Sequence, residues 1–128
     1  MKYLSLKDVK KIHTELEEIY GIDSTILQPS NLESALEAPK RAFFGAEIYR
    51  TLSEKSAALM SNLIKLHPFT DGNNRTGFLA TLLFLDQNGR TFSRDTEVDV
   101  EACRNTAKCT LDVCQLSDWI KNKSRVKR

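Results

Sequence analysis

Apolar residues recur from the start of the chain at Leu6, Val9, Ile12, Leu16 and Ile19, the spacing that lines one face of an α-helix. Ser5 with Asp8 has the form of a capping box, and Leu4 and Val9 are placed for a hydrophobic staple. Gly21 supplies the stop. His13 falls on or beside the apolar face and reads as a packed core histidine rather than a catalytic partner. Residues 22–30 form a polar connector ending in Pro29 and Ser30, and Asn31 is placed to cap a short helix through Glu37, ahead of Pro39. Thr51 with Glu54 repeats the capping signature and opens a helix through Leu66 that buries Ala57, Leu59, Leu63 and Leu66. Residues 78–85, F-L-A-T-L-L-F-L, are apolar on nearly every side, which predicts a helix enclosed by the others. Asn88 and Gly89 close it, and residues 90–93 are at most a short strand. Asp95 or Thr96 starts a further helix, and residues 116–123, with Trp119, make the last. The pattern predicts an all-α bundle of about six helices around a central one.

Length and charge constrain this picture without adding a function. A chain of 128 residues is long enough for one core and too short for a separate regulatory domain, so residues 1–128 read as a single domain. The net charge of +2 is modest. Positive charge gathers in residues 121–128, K-N-K-S-R-V-K-R. A frayed, solvated helix end is the simpler reading of that tail, and no direct nucleic-acid binding is expected. No apolar run approaches the ~20 residues of a membrane span, and the opening M-K-Y-L-S-L-K-D lacks the apolar stretch of a signal peptide. Both point to the cytoplasm and away from the membrane. Cys103, Cys109 and Cys114 lie outside zinc-ligand spacing and read as reduced, packed thiols.

The chemistry gathers in residues 67–76, H-P-F-T-D-G-N-N-R-T, where the third helix hands over to the central one. Pro68 should end the preceding helix around Leu66, and Phe69 is apolar enough to anchor the loop. Gly72 can turn the chain through conformations closed to other residues. Asn73 or Asn74 can cap the helix that follows. The first amides of that helix have no internal partners and suit a phosphate, and Arg75 adds a permanently charged fork. Asp71 is a hard oxygen ligand of the kind Mg2+ uses together with substrate phosphates. His67 can accept a proton near neutral pH. Taken singly, these residues also fit two helix caps and a solvated arginine.

The run resembles the signature of the Fic superfamily, H-x-F-x-[D/E]-[G/A]-N-[G/K]-R, departing from it only at the eighth position, where Asn74 stands. Residues 32–44, L-E-S-A-L-E-A-P-K-R-A-F-F, and the helix from Leu52 to Leu66 with its E-K-S-A-A-L, are similar to the death-on-curing (Doc) branch, over residues 1–92 in all. The resemblance implies a Fic-fold helical bundle carrying a small β-hairpin flap. It also implies that His67 is the base on a target hydroxyl, Asp71 the Mg2+ ligand, Gly72, Asn73 and Asn74 the phosphate-binding turn, and Arg75 the contact to the outer phosphates of ATP. The flap that docks a target segment would be Pro39, Lys40, Arg41, Ala42, Phe43, Phe44 and Gly45, with the two phenylalanines as anchors; by residue type alone those two read as core. Further implications are an enzyme of a toxin-antitoxin pair, a Phd-like antitoxin with a disordered tail, and translation elongation factor Tu as the target. No inhibitory [S/T]-x-x-x-E-[G/N] segment is present in the sequence.

Two departures bear on the transferred group. Members that transfer AMP have Gly at the eighth motif position and a second Arg at the twelfth, where this chain has Asn74 and Phe78. An apolar side chain in the first turns of the helix offers nothing to a phosphate, which favours transfer of the terminal phosphate over AMP transfer (AMPylation). The same departures also fit a catalytically inactive Fic-fold binding protein. A metal-dependent hydrolase would need more nitrogen or carboxylate ligands than His67, Asp71 and the distant His13 provide.

Overall fold

The computed structural model describes residues 1–23 and 25–127, within which lie six α-helices, one 3-10 turn and two two-stranded sheets. Ser24, in the predicted connector, and Arg128, at the end of the basic tail, lie outside the described residues. Helix α1 (Leu6–Tyr20) begins at a reciprocal capping box. The Asp8 amide donates to Ser5 Oγ at 3.2 Å and the Ser5 amide to Asp8 Oδ2 at 2.8 Å. It ends at Gly21 in the left-handed region, φ 67°. Its inner face buries Val9, His13 and Leu16, while Leu6 and Ile19, in the end turns, stay exposed.

Helix α2 (Pro29–Glu37) starts at Pro29, whose fixed φ suits a first turn. Asn31 therefore sits inside the helix and does not cap it. Its side-chain amide instead donates to the Leu66 carbonyl at 2.7 Å, tying α2 to the end of the third helix. A 3-10 turn (Ala38–Lys40) leads into strands β1 (Ala42–Phe43) and β2 (Ala46–Glu47), an antiparallel hairpin pairing Ala42 with Glu47 and Phe43 with Ala46. Its two turn residues, Phe44 at φ 50° and Gly45 at φ 79°, have the positive φ that two-residue hairpin loops require. All of residues 41–48 are exposed. Phe43 and Phe44 are thus not core residues, contrary to what their type suggests: the hairpin projects away from the two hydrophobic clusters.

Helix α3 (Leu52–Lys65) packs along α4 (Asn73–Gln87), and their closest approach is at Gly77, where a Cβ would stand 2.9 Å from Ile64 Cγ1 and 3.4 Å from the Met60 carbonyl. Helix α4 is central, as its pattern predicts. Phe84 and Ala80 join Val9, Leu32, Leu59 and Phe69 in one cluster, while Phe78 and Leu85 join Met60, Ile64, Leu116 and Ile120 in another. Strand β3 (Arg90–Phe92) follows, then α5 (Thr96–Ala107), α6 (Val113–Lys123) and β4 (Ser124–Val126). Helix α6 starts ahead of the expected Leu116 because Asp112 and Gln115 form a second reciprocal capping box. Among the described residues no helix is long and apolar enough to cross a membrane.

The basic tail is not a frayed helix end. Residues 124–126 pair antiparallel with β3, Arg90 facing Val126 and Phe92 facing Ser124, and Lys127 Nζ meets Asp86 Oδ1 at 2.8 Å. Strand β3 needs a partner for its backbone groups, and the tail supplies it. The cysteines also divide: Cys103 is buried, whereas Cys109 and Cys114 are exposed and not packed. Burial, reinforced by the neighbouring Asp99 carboxylate, pushes the Cys103 thiol up to about 12, and only a thiolate alkylates readily. At pH 8 iodoacetamide should therefore modify two sulfurs in the folded protein and the third only after denaturation. Mass spectrometry showing equal modification of all three in the native state would contradict this placement.

Candidate active site

Pro68 ends α3 by removing a donor and restricting the residue before it, and His67 takes up a left-handed backbone, φ 45°. Such a conformation is uncommon outside glycine, though histidine adopts it more readily than most residues. It turns the imidazole outwards, so that His67 is exposed while Phe69, two residues on, is buried. The ring of Phe69 stacks on that of His13, centroids 3.8 Å apart and planes within 8°.

Asn73, expected as a helix cap, does something else. Its side chain turns back on the loop, Oδ1 accepting from the Phe69 amide at 3.1 Å and Nδ2 donating to the Phe69 carbonyl at 2.9 Å. The same Nδ2 reaches His67 Nδ1 at 3.4 Å, a long contact that the lone pair of that nitrogen accepts. The N-cap is Gly72, φ 77°, which has no side chain with which to cap. A Cβ there would run into Ile22 Cδ1, so both conformation and space require glycine. Among the described residues nothing takes up the amides of Asn73, Asn74 and Arg75; the first internal bond of α4 is the Thr76 amide to the Gly72 carbonyl at 2.9 Å. Three free donors at the positive end of a helix dipole are chemically suited to an anion.

Asp71 is exposed, one carboxylate oxygen accepting from the Gly72 amide at 2.8 Å and the other without a hydrogen-bond partner among the described residues. Its carbonyl is held from behind by His13, whose Nε2 donates to it at 2.7 Å. His13 is thus a packed histidine, only 1% exposed, and also the support of the signature loop. The connector is tied in as well: the Leu27 and Gln28 amides both donate to the Pro68 carbonyl, and the Thr70 amide to that of Thr25. Arg75 is exposed, with its guanidinium 4.0 Å above the Tyr20 ring.

Beside Asn74 and Arg75 opens a cleft of about 400 Å3, walled by Tyr20, Phe78, Arg94 and Asp99. Phe78 is buried against Phe92, centroids 5.6 Å apart. Arg94 lies over the Phe78 ring at 5.6 Å and puts on the cleft wall a cation that the motif does not predict. Of the residues expected in the flap, Ala42, Phe43, Phe44 and Gly45 belong to the hairpin, Arg41 precedes it, and Pro39 and Lys40 form the 3-10 turn below it, Pro39 buried.

The signature loop thus combines an exposed imidazole, a free carboxylate oxygen and an uncapped helix start, and a model of the Fic/DOC family matches residues 3–85, well over half of the chain. The chain belongs to the Fic/DOC family. Beyond that match, it is 36% identical over 115 residues to the toxin Doc of Mycolicibacterium smegmatis, covering 87% of this chain and 86% of that protein. The Fic/DOC match takes in α1 to α3, the hairpin and most of α4. The similarity to Doc extends further, to all but a small part of the chain.

Proposed function

We propose that this Fic/DOC protein is the toxin of a toxin-antitoxin pair, using ATP and Mg2+ to phosphorylate a hydroxyl of a protein target and so arrest translation. Elongation factor Tu is the proposed target and a Phd-like antitoxin the proposed inhibitor. The likeness to the toxin Doc supports the toxin role. The reading rests on one observation: His67 stands exposed beside a helix start whose first three amides are free.

The free amides and Arg75 suit the phosphates, and Arg94 offers a second charge from outside the motif. Asp71 suits a divalent cation held by one carboxylate and substrate phosphates. Among the described residues no group of three or more His, Cys, Asp and Glu could hold a metal. Asp71 would hold Mg2+ jointly with the substrate phosphates, and the ion would supply charge neutralisation on them. His67 takes the proton from the target hydroxyl as its oxygen bonds to the terminal phosphorus; the bond from that phosphorus to the bridging oxygen breaks, and ADP leaves with the electron pair. His67 is available for this because, among the described residues, the one hydrogen bond to its ring is the long one from Asn73.

Incubation with ATP and elongation factor Tu tests the reading. Label from the terminal phosphate should appear on the factor and label from the α-phosphate should not. The reverse result would identify AMP transfer, to which the Asn74 and Phe78 substitutions are poorly suited.

A further inference from the structure

Lys55 is charged, faces inwards from α3 and is only 2% exposed. It is the one lysine among the buried residues. An ammonium so placed needs every proton satisfied, and each of its three has a partner. Lys55 Nζ donates to the Pro39 carbonyl at 3.3 Å, to Glu47 Oε1 at 3.0 Å and to the Tyr49 carbonyl at 2.6 Å. The first partner precedes the β1–β2 hairpin, the second lies on β2, and the third follows it. One nitrogen thus gathers both ends of the hairpin onto α3.

The hairpin has little else to hold it. Residues 41–48 are exposed throughout, and Phe43 and Phe44 touch each other edge to face, centroids 4.4 Å apart, rather than the core. An isolated two-stranded hairpin is marginal in water, so its direction depends on its base. Among the described residues its two strands pair only with each other, which leaves a strand edge open on either side for an extended segment of another protein.

We infer that Lys55 is the latch that sets the direction of the hairpin, and hence a positioning residue for the protein target. Its three bonds go to Pro39, Glu47 and Tyr49, and none goes to the signature loop. Its loss should weaken use of the target and leave nucleotide binding alone. The second half of this inference rests on the proposed function; the first does not.

The test follows both halves in one set of proteins. A nitroxide is attached to Cys in an Ala46→Cys variant with Cys109→Ser and Cys114→Ser, with and without Lys55→Met. Lys55→Met should sharpen the spin-label spectrum towards that of a freely moving chain. It should raise the KM for elongation factor Tu by ~10- to 100-fold, the scale of a misplacement of about 1 Å, with kcat and the calorimetric Kd for MgATP unchanged. An unchanged spectrum in a protein of unchanged circular dichroism overturns the latch. A mobile hairpin with an unchanged KM overturns its role in target use. Should Lys55→Met not fold, Glu47→Ala keeps the lysine, removes one of its three partners and should show smaller shifts of the same sign; an immobile hairpin there likewise counts against the latch. If the unsubstituted protein labels no target, the proposed function fails while the spectra still decide the latch.

Discussion

His67→Ala is expected to slow phosphoryl transfer by ~10^2- to 10^4-fold, the usual contribution of a positioned base, and to leave the affinity for MgATP close to that of the parent. The separation follows from the geometry. The phosphates are to be held by the free amides of α4 and by Arg75, which belong to the backbone and side chains beyond Gly72, whereas the one side-chain hydrogen bond of His67 among the described residues is the 3.4 Å approach of Asn73. Alanine tolerates the left-handed backbone at this position less well than histidine does. His67→Asn, which retains that tolerance and has no basic nitrogen, is therefore the matched variant. Initial rates with labelled ATP, set against calorimetric affinities, check the expectation. A full parental rate in both variants would remove His67 from the chemistry and require another base for the target hydroxyl. Loss of affinity together with rate would instead mean that the imidazole holds the loop.

The helices were legible because their signals are local. Ser5 with Asp8 and Thr51 with Glu54 mark helix starts through bonds spanning three residues, and the all-round apolar run after Gly77 marks the central helix whatever surrounds it. What escaped is set by contacts distant in sequence. Strand β4 exists because Arg90, Thr91 and Phe92 face it across the chain, and K-S-R-V-K carries no alternation that reveals a strand. Asn73 was legible as a polar residue at a helix start, yet its bonds run backwards to Phe69, which leaves the cap position to Gly72 and the amides free. His13 lay correctly on a buried face, but only the fold carries it 58 positions along the chain to the Asp71 carbonyl. Nothing in the local sequence singles out Arg94 or Lys55. One gained a cleft wall and the other an inward-facing place on α3 from packing that no spacing rule records.

That the site is held by packing leads to the second large effect. Phe69→Ala should cost ~3–5 kcal/mol of folding stability, the range for emptying an aromatic from a core, and should weaken MgATP binding as well. Phe69 is 2% exposed, and its ring is the stack under His13. Its backbone amide and carbonyl are the two points on which Asn73 fastens, and Ile26 forms a β-bridge with it. Removing the ring therefore frees His13 to shift, loosens its bond to the Asp71 carbonyl, and lets Gly72 and the α4 amides move together. Phe84→Ala separates the two consequences. Phe84 is fully buried in the same cluster and should cost a comparable amount, but it sits two to three turns further along α4, away from the free amides. Urea midpoints give the stabilities, and calorimetry under conditions where both variants remain folded gives the affinities. Phe69→Ala should lose both and Phe84→Ala stability alone. Equal losses of affinity would mean that α4 transmits any softening of the core to its start, and that the His13–Phe69 stack has no special hold on the turn at Gly72.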